Sequence, residues 1–327
     1  MSSKELPLIV VCGGGGFIGA HLVAKLRESG KCRIRAVDIK PAGEWFQRFP
    51  DVENLEADLT EKQNCYQAAK GAAQIYNLAA DMGGIGFIEL NKSACMLSVL
   101  INTHLLMAAR DLGVPRFFYS STACVYNVEK QRDPNCPALK ESDAYPAMAE
   151  DGYGWEKLFS ERMCRHFSED HGIATRVARY HNVYGPLGTY DGGREKAPAA
   201  ICRKVVQAQL SGRHEIEIWG NGQQTRSFQY IDDCVHGTMA IMGSDVSEPL
   251  NLGSSELVTI NQLVEIAEHI AGIKLERKYK LDAPQGVNGR NSDNTLIRAK
   301  LGWEPSIPLR VGLEKTYRWI YDQMKSA

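Results

Sequence analysis

The stretch VVCGGGGFIGAHL, residues 10–22, decides the fold. An apolar run breaks into glycines, and apolar residues then resume at helical spacing. Gly13, Gly16 and Gly19 stand in a GxxGxxG spacing directly between a strand and a helix. Glycines there permit a tight turn, close approach of the backbone to a pyrophosphate, and close helix–strand packing. The helix N-terminus then faces the negative charge. A second strand, RIRAVD, ends at Asp38, about 20 residues on, where an acid can bond the adenosine ribose hydroxyls. A 2′-phosphate beside that carboxylate would be repelled, so the loop predicts NAD rather than NADP. Lys40 pulls slightly the other way.

Outward from this loop, short apolar runs alternate with segments of helical period. NLEADL, EKQNCYQAAKG, AQIYNLAA, a long helical stretch over 93–112, RFFYSS and ATRVARYHNV follow in turn. The alternation predicts βαβ units and an α/β fold, a Rossmann-type doubly wound parallel sheet covered on both faces. After residue 183 the texture changes. YGPLGTYDGGREKAPAA is rich in Gly and Pro and leaves the sheet, and helical and strand-like segments of a smaller C-terminal α/β domain follow.

The bulk properties narrow the partners. The chain of 327 residues has a formal net charge of −1, so no global field attracts nucleic acid or a membrane surface. An anionic ligand must be held by local cations and backbone amides. No apolar run reads as long enough to span a bilayer, and LPLIVV reads as a first strand rather than a signal segment. Nine scattered cysteines without a CxxC pair predict reduced thiols, no metal site and a cytoplasmic location.

YGWEKLFSERMCRHF carries Tyr153 and Lys157 at i and i+4, one face of a helix. Trp155, Leu158, Phe159, Met163 and Phe167 fall on a broad apolar arc on the other side. The pair is thus expected to stand away from this apolar stripe, where a bound cofactor could sit. A phenol, with an ordinary pKa of about 10, becomes a usable base when an ammonium and a nicotinamide cation stabilise the phenolate. Ser120, Ser121 and Thr122 supply hydroxyls at the end of a core strand.

GxxGxxG, NLAA (77–80), SST and YxxxK, in this order, resemble the extended short-chain dehydrogenase/reductases, most of which act on nucleotide sugars. HNVYGP (181–186) and WGNGQQTRSFQYIDD (219–233) are similar to the same family. The resemblance covers nearly the whole chain. It implies an NAD-binding domain of residues 1–183 plus about 228–255, and a nucleotide-sugar-binding domain of about 184–227 plus 256–327. It implies cofactor contacts from Gly13, Gly16, Phe17, Ile18, Gly19, Asp38, Asp58, Leu78, Ala79, Ala80, Tyr153 and Lys157, with Thr122 as hydroxyl partner of the last two. It also implies a homodimer built partly from helices 93–112 and 153–170.

AADMGGIGFI (79–88), SSTACVY (120–126), LKESDAYPA (139–147), GTYDGGREKAPAAICRK (188–204), QTRSF (224–228) and GRNSDN (289–294) resemble the GDP-mannose 3,5-epimerase group within that family. Sugar-nucleotide 4,6-dehydratases carry Thr-Asp-Glu where this chain has Thr122-Ala123-Cys124, so the acid pair for 4,6-elimination is absent. The resemblance implies inversion of C3 and C5 of GDP-mannose, giving GDP-L-galactose, after transient NAD-dependent oxidation at C4. A C4 ketone acidifies both neighbours, and each inversion needs a base on one face and an acid on the other. Cys124 as base and Lys196 as acid are implied. A thiol, ordinarily near 8.5, becomes a competent base beside a cation.

Glu195 is then either the partner of Lys196 or a ligand to a sugar hydroxyl. Lys204, Arg226 and Arg290 are the expected diphosphate cations. Gly83, Ala123, Asn182, Ala197, Gln224 and Thr225 complete the expected substrate contacts. Asn127 stands where glycine or proline is more usual, which predicts a changed loop beyond Cys124. Two other readings accommodate the same motifs: another NAD-dependent nucleotide-sugar epimerase or reductase, and a non-catalytic regulator that binds NAD or a sugar nucleotide.

Overall fold

Leu8–Cys12 forms strand β1, whose five residues are all buried. In this computed structural model, which describes residues 6–326, alternate β1 side chains feed two different cores. Ile9 and Val11 join one cluster with Leu22 and Leu26, and Leu8, Val10 and Cys12 join another with Leu105 and Leu106. A strand covered on both faces is apolar throughout rather than alternating.

Helix α1 (Phe17–Ser29) and strand β2 (Arg33–Asp38) complete the first unit. There follow β3 (Glu53–Glu56), α2 (Lys62–Ala69), β4 (Ala72–Asn77), α3 (Ile85–Leu90), α4 (Lys92–Leu112), β5 (Arg116–Thr122), α5 (Tyr153–His171) and β6 (Ala174–Tyr180). The remainder runs β7 (Asn182–Tyr184), α6 (Ala197–Ser211), β8 (Glu215–Trp219), β9 (Thr225–Tyr230), α7 (Ile231–Gly243), β10 (Leu250–Leu252), β11 (Leu257–Thr259), α8 (Ile260–Ala271), β12 (Glu276–Lys280), β13 (Gly289–Arg290), α9 (Thr295–Leu301) and α10 (Leu309–Ser326).

The main sheet has seven strands in the order β10-β6-β5-β4-β1-β2-β3, all pairs parallel. The order reverses between β1 and β4, the position where doubly wound sheets open a crevice beyond their carboxyl ends. A second sheet places β9 between β11 and β13, with β7 also on β9, and β8 pairs with β12. Strand β9 lies whole in the second sheet, so the expected domain limits near 183 and 228 fall inside β7 and β9. Strand β10 returns to the edge of the main sheet.

Helix α4 is the described helix whose length and composition would suit a membrane span, contrary to the expectation that no apolar run reaches that length. Its inner face is buried against α2, α5 and the sheet through Cys95, Ile101, Leu105, Leu106, Ala108 and Ala109. The expected apolar arc of α5 divides: Leu158 is buried, and Met163 and Phe167 pack against the core. Tyr153 and Lys157 are buried, at 6% and 1% exposure, whereas Trp155 and Phe159 face outward at 40% and 56%.

Below the catalytic strand lies a buried ion pair. Arg179 on β6 grips Glu161 of α5 with two hydrogen bonds of 2.9 and 2.7 Å, and both side chains are almost fully enclosed. Removing one member strands the other charge. Glu161→Ala is expected to destabilise the fold by about 3–5 kcal/mol, read as a lowered urea midpoint; an unchanged midpoint would show that water or a rearranged partner satisfies Arg179.

Candidate active site

The glycine loop is shaped by close backbone contacts. Gly13 has φ +80°, and a Cβ there would lie 2.9 Å from the Leu78 carbonyl carbon; a Cβ on Gly19 would lie 2.0 Å from the Gly13 oxygen. No side chain caps the start of α1 and no acid lies in its first turn, so its amides and dipole suit an anion. Asp38 is fixed at the end of β2, where it accepts from Gly15 N and Lys40 N, each at 3.0 Å. Leu78 N donates to Cys12 O at 3.0 Å, which lays residues 78–80 along the loop. Phe17 packs towards Gly185 and Gly188. Asp58 accepts from the amide and hydroxyl of Thr60 at 2.8 and 2.7 Å, so its carboxylate is held in a turn ahead of α2. These residues fit a dinucleotide: a side chain at Gly13 or Gly19 would force the tight turn open, the start of α1 is left uncapped, and the Asp38 carboxylate is held by two amides.

A cleft of about 450 Å³ opens between the main sheet and the second layer. Thr122, Ala123, Cys124 and Tyr153 line it from one side, and Glu195, Lys196, Ala197, Lys204, Arg226 and Arg290 from the other. Gly83, Asn182 and Gln224 also line it. Thr225 does not. Its hydroxyl donates to Pro134 O, because neighbouring residues on a strand point to opposite faces and Arg226 takes the cleft side.

Of the three hydroxyls at the end of β5, only Thr122 reaches the cleft. Ser120 donates to Asn77 O at 3.0 Å and Ser121 to Glu161. Thr122 Oγ1 accepts from Cys124 N at 3.3 Å and caps a short 3₁₀ turn, Ala123–Val125, that presents the thiol. Asn127 caps the next 3₁₀ turn, accepting from Glu129 N at 2.9 Å and donating to Pro146 O at 3.0 Å. The unusual residue of this loop thus has a structural explanation.

Gly154 has a role that went unread in the sequence. A Cβ at that position would lie 2.3 Å from the Cys124 carbonyl oxygen. Only glycine lets the start of α5 touch the Cys124 turn and set Tyr153 beside it. The available sign was a poor helix former in a helix's first turn.

Lys157 donates to Ser120 O at 3.0 Å, and its ammonium lies 4.7 Å from the Tyr119 ring centroid and 5.7 Å from that of Tyr153. Burial pushes the Lys157 amine down, while the neighbouring Glu156 raises it. Burial pushes the Tyr153 phenol well up, and a hydrogen bond from Thr122 opposes this. The phenol is therefore protonated at rest, able to give a proton and in need of a nearby cation before it can take one.

Lys196 occupies the N-cap position of α6. Burial of its amine pushes it down, and Cys124 pulls it back up, so the two groups sense one another across the cleft. A weakened ammonium is a better proton donor near neutral pH. Glu195 is turned away from Lys196: it accepts from Arg203 at 3.0 Å and from Gly193 N at 2.7 Å. The loops carrying Gly83 and Lys196 are clasped together. Gly84 N donates to Arg194 O at 3.0 Å, Arg194 pairs with Asp81 at 2.6 Å, and its guanidinium lies 3.8 Å from the Phe87 ring centroid.

The three expected phosphate cations all line the cleft. Lys204 sits towards Trp219, donating to Glu217 O at 2.8 Å. Arg226 is pushed down to about 10 by burial and is steadied by the carbonyls of Thr225 and Val287. Arg290 is the register partner of Arg226 on the neighbouring strand and lines the same cleft, and its Nη1 also lies 3.5 Å from Cys124 Sγ, a contact that sequence reasoning did not foresee.

A parallel sheet with this glycine cradle, a buried Tyr–Lys pair and a facing thiol and amine is the architecture of a nucleotide-sugar-modifying short-chain dehydrogenase. The chain belongs to the NAD dependent epimerase/dehydratase family, whose model matches residues 9–253. It is similar to GDP-mannose 3,5-epimerase 1 of Oryza sativa subsp. japonica, with 46% identity over 97% of this chain and 82% of the relative. It is similar also to GDP-mannose 3,5-epimerase of Arabidopsis thaliana, with 45% identity over 97% and 83%. Among solved structures, UDP-glucose 4-epimerase of Thermotoga maritima with UDP-glucose superposes with a TM-score of 0.87 at 25% identity, over 97% of this chain and 99% of that one. The Thermus thermophilus UDP-glucose 4-epimerase complex with NAD shares the fold, with a TM-score of 0.83 at 20% identity over 96% and 98%.

Proposed function

We propose that this protein is an isomerase that inverts C3 and C5 of GDP-mannose, giving GDP-L-galactose together with some single-site epimer. The observation that carries the reading is that Cys124 and Lys196 line one cleft together with Thr122 and Tyr153. The Gly13–Gly19 loop, Asp38 and residues 78–80 would hold NAD, which would supply a reversible hydride acceptor for C4 of the sugar. Tyr153 takes the C4 hydroxyl proton, Thr122 orients the phenol, and Lys157 holds positive charge behind it. The C4 ketone lets the negative charge left by a departing C3 or C5 proton spread as an enolate. Cys124 removes that proton from one face, and Lys196 returns one to the other. Arg226 and Lys204 supply positive charge for the diphosphate.

We also propose a homodimer through α4 and α5. Met96, Leu97, Leu100, Trp155 and Phe159 are exposed apolar residues on these two adjoining helices, a pattern that suits a partner helix pair.

The test is incubation with GDP-mannose in deuterated water. Deuterium at both C3 and C5, with no net reduced cofactor, is expected. Tight substrate binding without label at either carbon would overturn the reading, and an accumulating 4-keto product would reassign the protein to dehydratase or oxidase chemistry.

A further inference from the structure

The base site contains a carboxylate that the reaction above does not use. Glu150 lies just before α5, its side chain mostly enclosed, and it pairs with Nη2 of Arg290. Its backbone amide donates to Cys124 O at 3.0 Å. Arg290 Nε donates to Gln131 Oε1 at 2.7 Å, and Gln131 is itself buried and tied to the carbonyls of Tyr126 and Asn127. The Arg290 guanidinium is thus held on two sides, and its remaining nitrogen meets the thiol sulfur at 3.5 Å.

We infer that Glu150 is a positioning residue for the proton-exchange step, holding the Arg290 fork on Cys124 and tempering its charge so that the thiolate stays a strong enough base. The inference rests on the assignment of Cys124 as base. Cys124 lies in a cationic surround: Arg290 of β13 meets its sulfur, Arg226 is the register partner of Arg290 on β9, Lys196 at the N-cap of α6 lines the same cleft, and Lys157 of α5 lies behind the neutral phenol of Tyr153 with Glu156 beside it. Glu150 is the carboxylate paired with that group at Arg290. A cation makes a thiolate easier to form but also a weaker base. A carbon acid flanking a ketone needs a base of some strength, so an unopposed Arg290 charge against the sulfur would favour the thiolate and blunt it. The carboxylate on the far side of Arg290 offsets part of this while fixing which nitrogen meets the sulfur.

The test compares Glu150→Gln, which keeps an oxygen for Arg290 but removes the charge, with Glu150→Asp, which keeps the charge. The rate of iodoacetamide alkylation of the Cys124 peptide is followed by mass spectrometry against pH, without substrate. In Glu150→Gln the midpoint is expected to fall by about one pH unit, as for loss of one neighbouring opposite charge. At a pH above both midpoints, where the thiolate is fully formed in either protein, deuterium exchange at C3 and C5 should fall about threefold while C4 oxidation is unchanged, and Glu150→Asp should return the midpoint towards that of the unmodified protein. A Glu150→Gln profile that superposes on the unmodified one overturns the inference, as does an equal shift in both variants. The alkylation readout is independent of the sugar, so failure of the GDP-mannose reading would appear as absent label in the unmodified protein instead.

Discussion

Cys124→Ala is expected to bind substrate and oxidise C4 normally while deuterium exchange at C3 and C5 falls by about 10²–10⁴-fold, the range for loss of a positioned base. The reason is the division of labour over two residues of β5 and its 3₁₀ turn. Thr122 points to Tyr153, and Cys124 points to Arg290 and across to Lys196. The substitution removes a sulfur without touching the hydroxyl or the backbone amide that Thr122 accepts from. Single-turnover absorbance of the reduced cofactor should therefore keep its amplitude, and mass spectrometry of the recovered sugar should show no label. Normal exchange in this variant would remove Cys124 from the mechanism and shift attention to Lys196 as the sole acid and base.

Tyr153→Phe should give the complementary loss. Without the phenol, no group on α5 can take the C4 hydroxyl proton, and oxidation is expected to slow by about 10²–10⁴-fold. The ring still fills its place against the Cys124 turn, so the fold should be undisturbed. Exchange at C3 and C5 also disappears in this variant, because no ketone forms to acidify the carbons. Supplying a chemically prepared 4-keto sugar nucleotide separates the two defects. It should restore label incorporation to Tyr153→Phe and not to Cys124→Ala. Oxidation at the unmodified rate in Tyr153→Phe would show that another group accepts the proton.

The parts of this molecule that could be read from sequence are those written in short contiguous stretches. The turn from β1 to α1 spans a few residues whose glycines each answer one steric demand, and Tyr153 and Lys157 share one helix turn. The parallel βαβ character of the sheet followed from alternation, and the strand carrying Thr122 from its apolar run. Relations between distant segments were harder. Arg290 lies 166 residues from Cys124, and a lone arginine in a polar loop is as suited to phosphate as to a thiol. Glu150 gave no signal, because an acid before a helix is a common N-terminal preference. The expected apolar arc of α5 is split between core and outer surface, because the covered side is set by the neighbouring sheet and α4, and periodicity alone does not say which residues are covered. Thr225 was placed in the cleft through its neighbours in QTRSF, where strand alternation sends it the other way.

The return of β10 to the main sheet bears on how the chain is made. Strand β6 lies between β5 and β10 in the finished sheet, but β10 begins about 70 residues after β6 ends, a delay of roughly 4–14 s at ordinary rates of synthesis. For that interval the nascent chain on the ribosome presents an open, largely apolar strand edge, the kind of edge that recruits other chains. Fragments ending before Leu252 would keep that edge permanently and should be prone to aggregate. The segment that builds the substrate side of the cleft is therefore threaded through the completion of the cofactor side, and neither half matures alone.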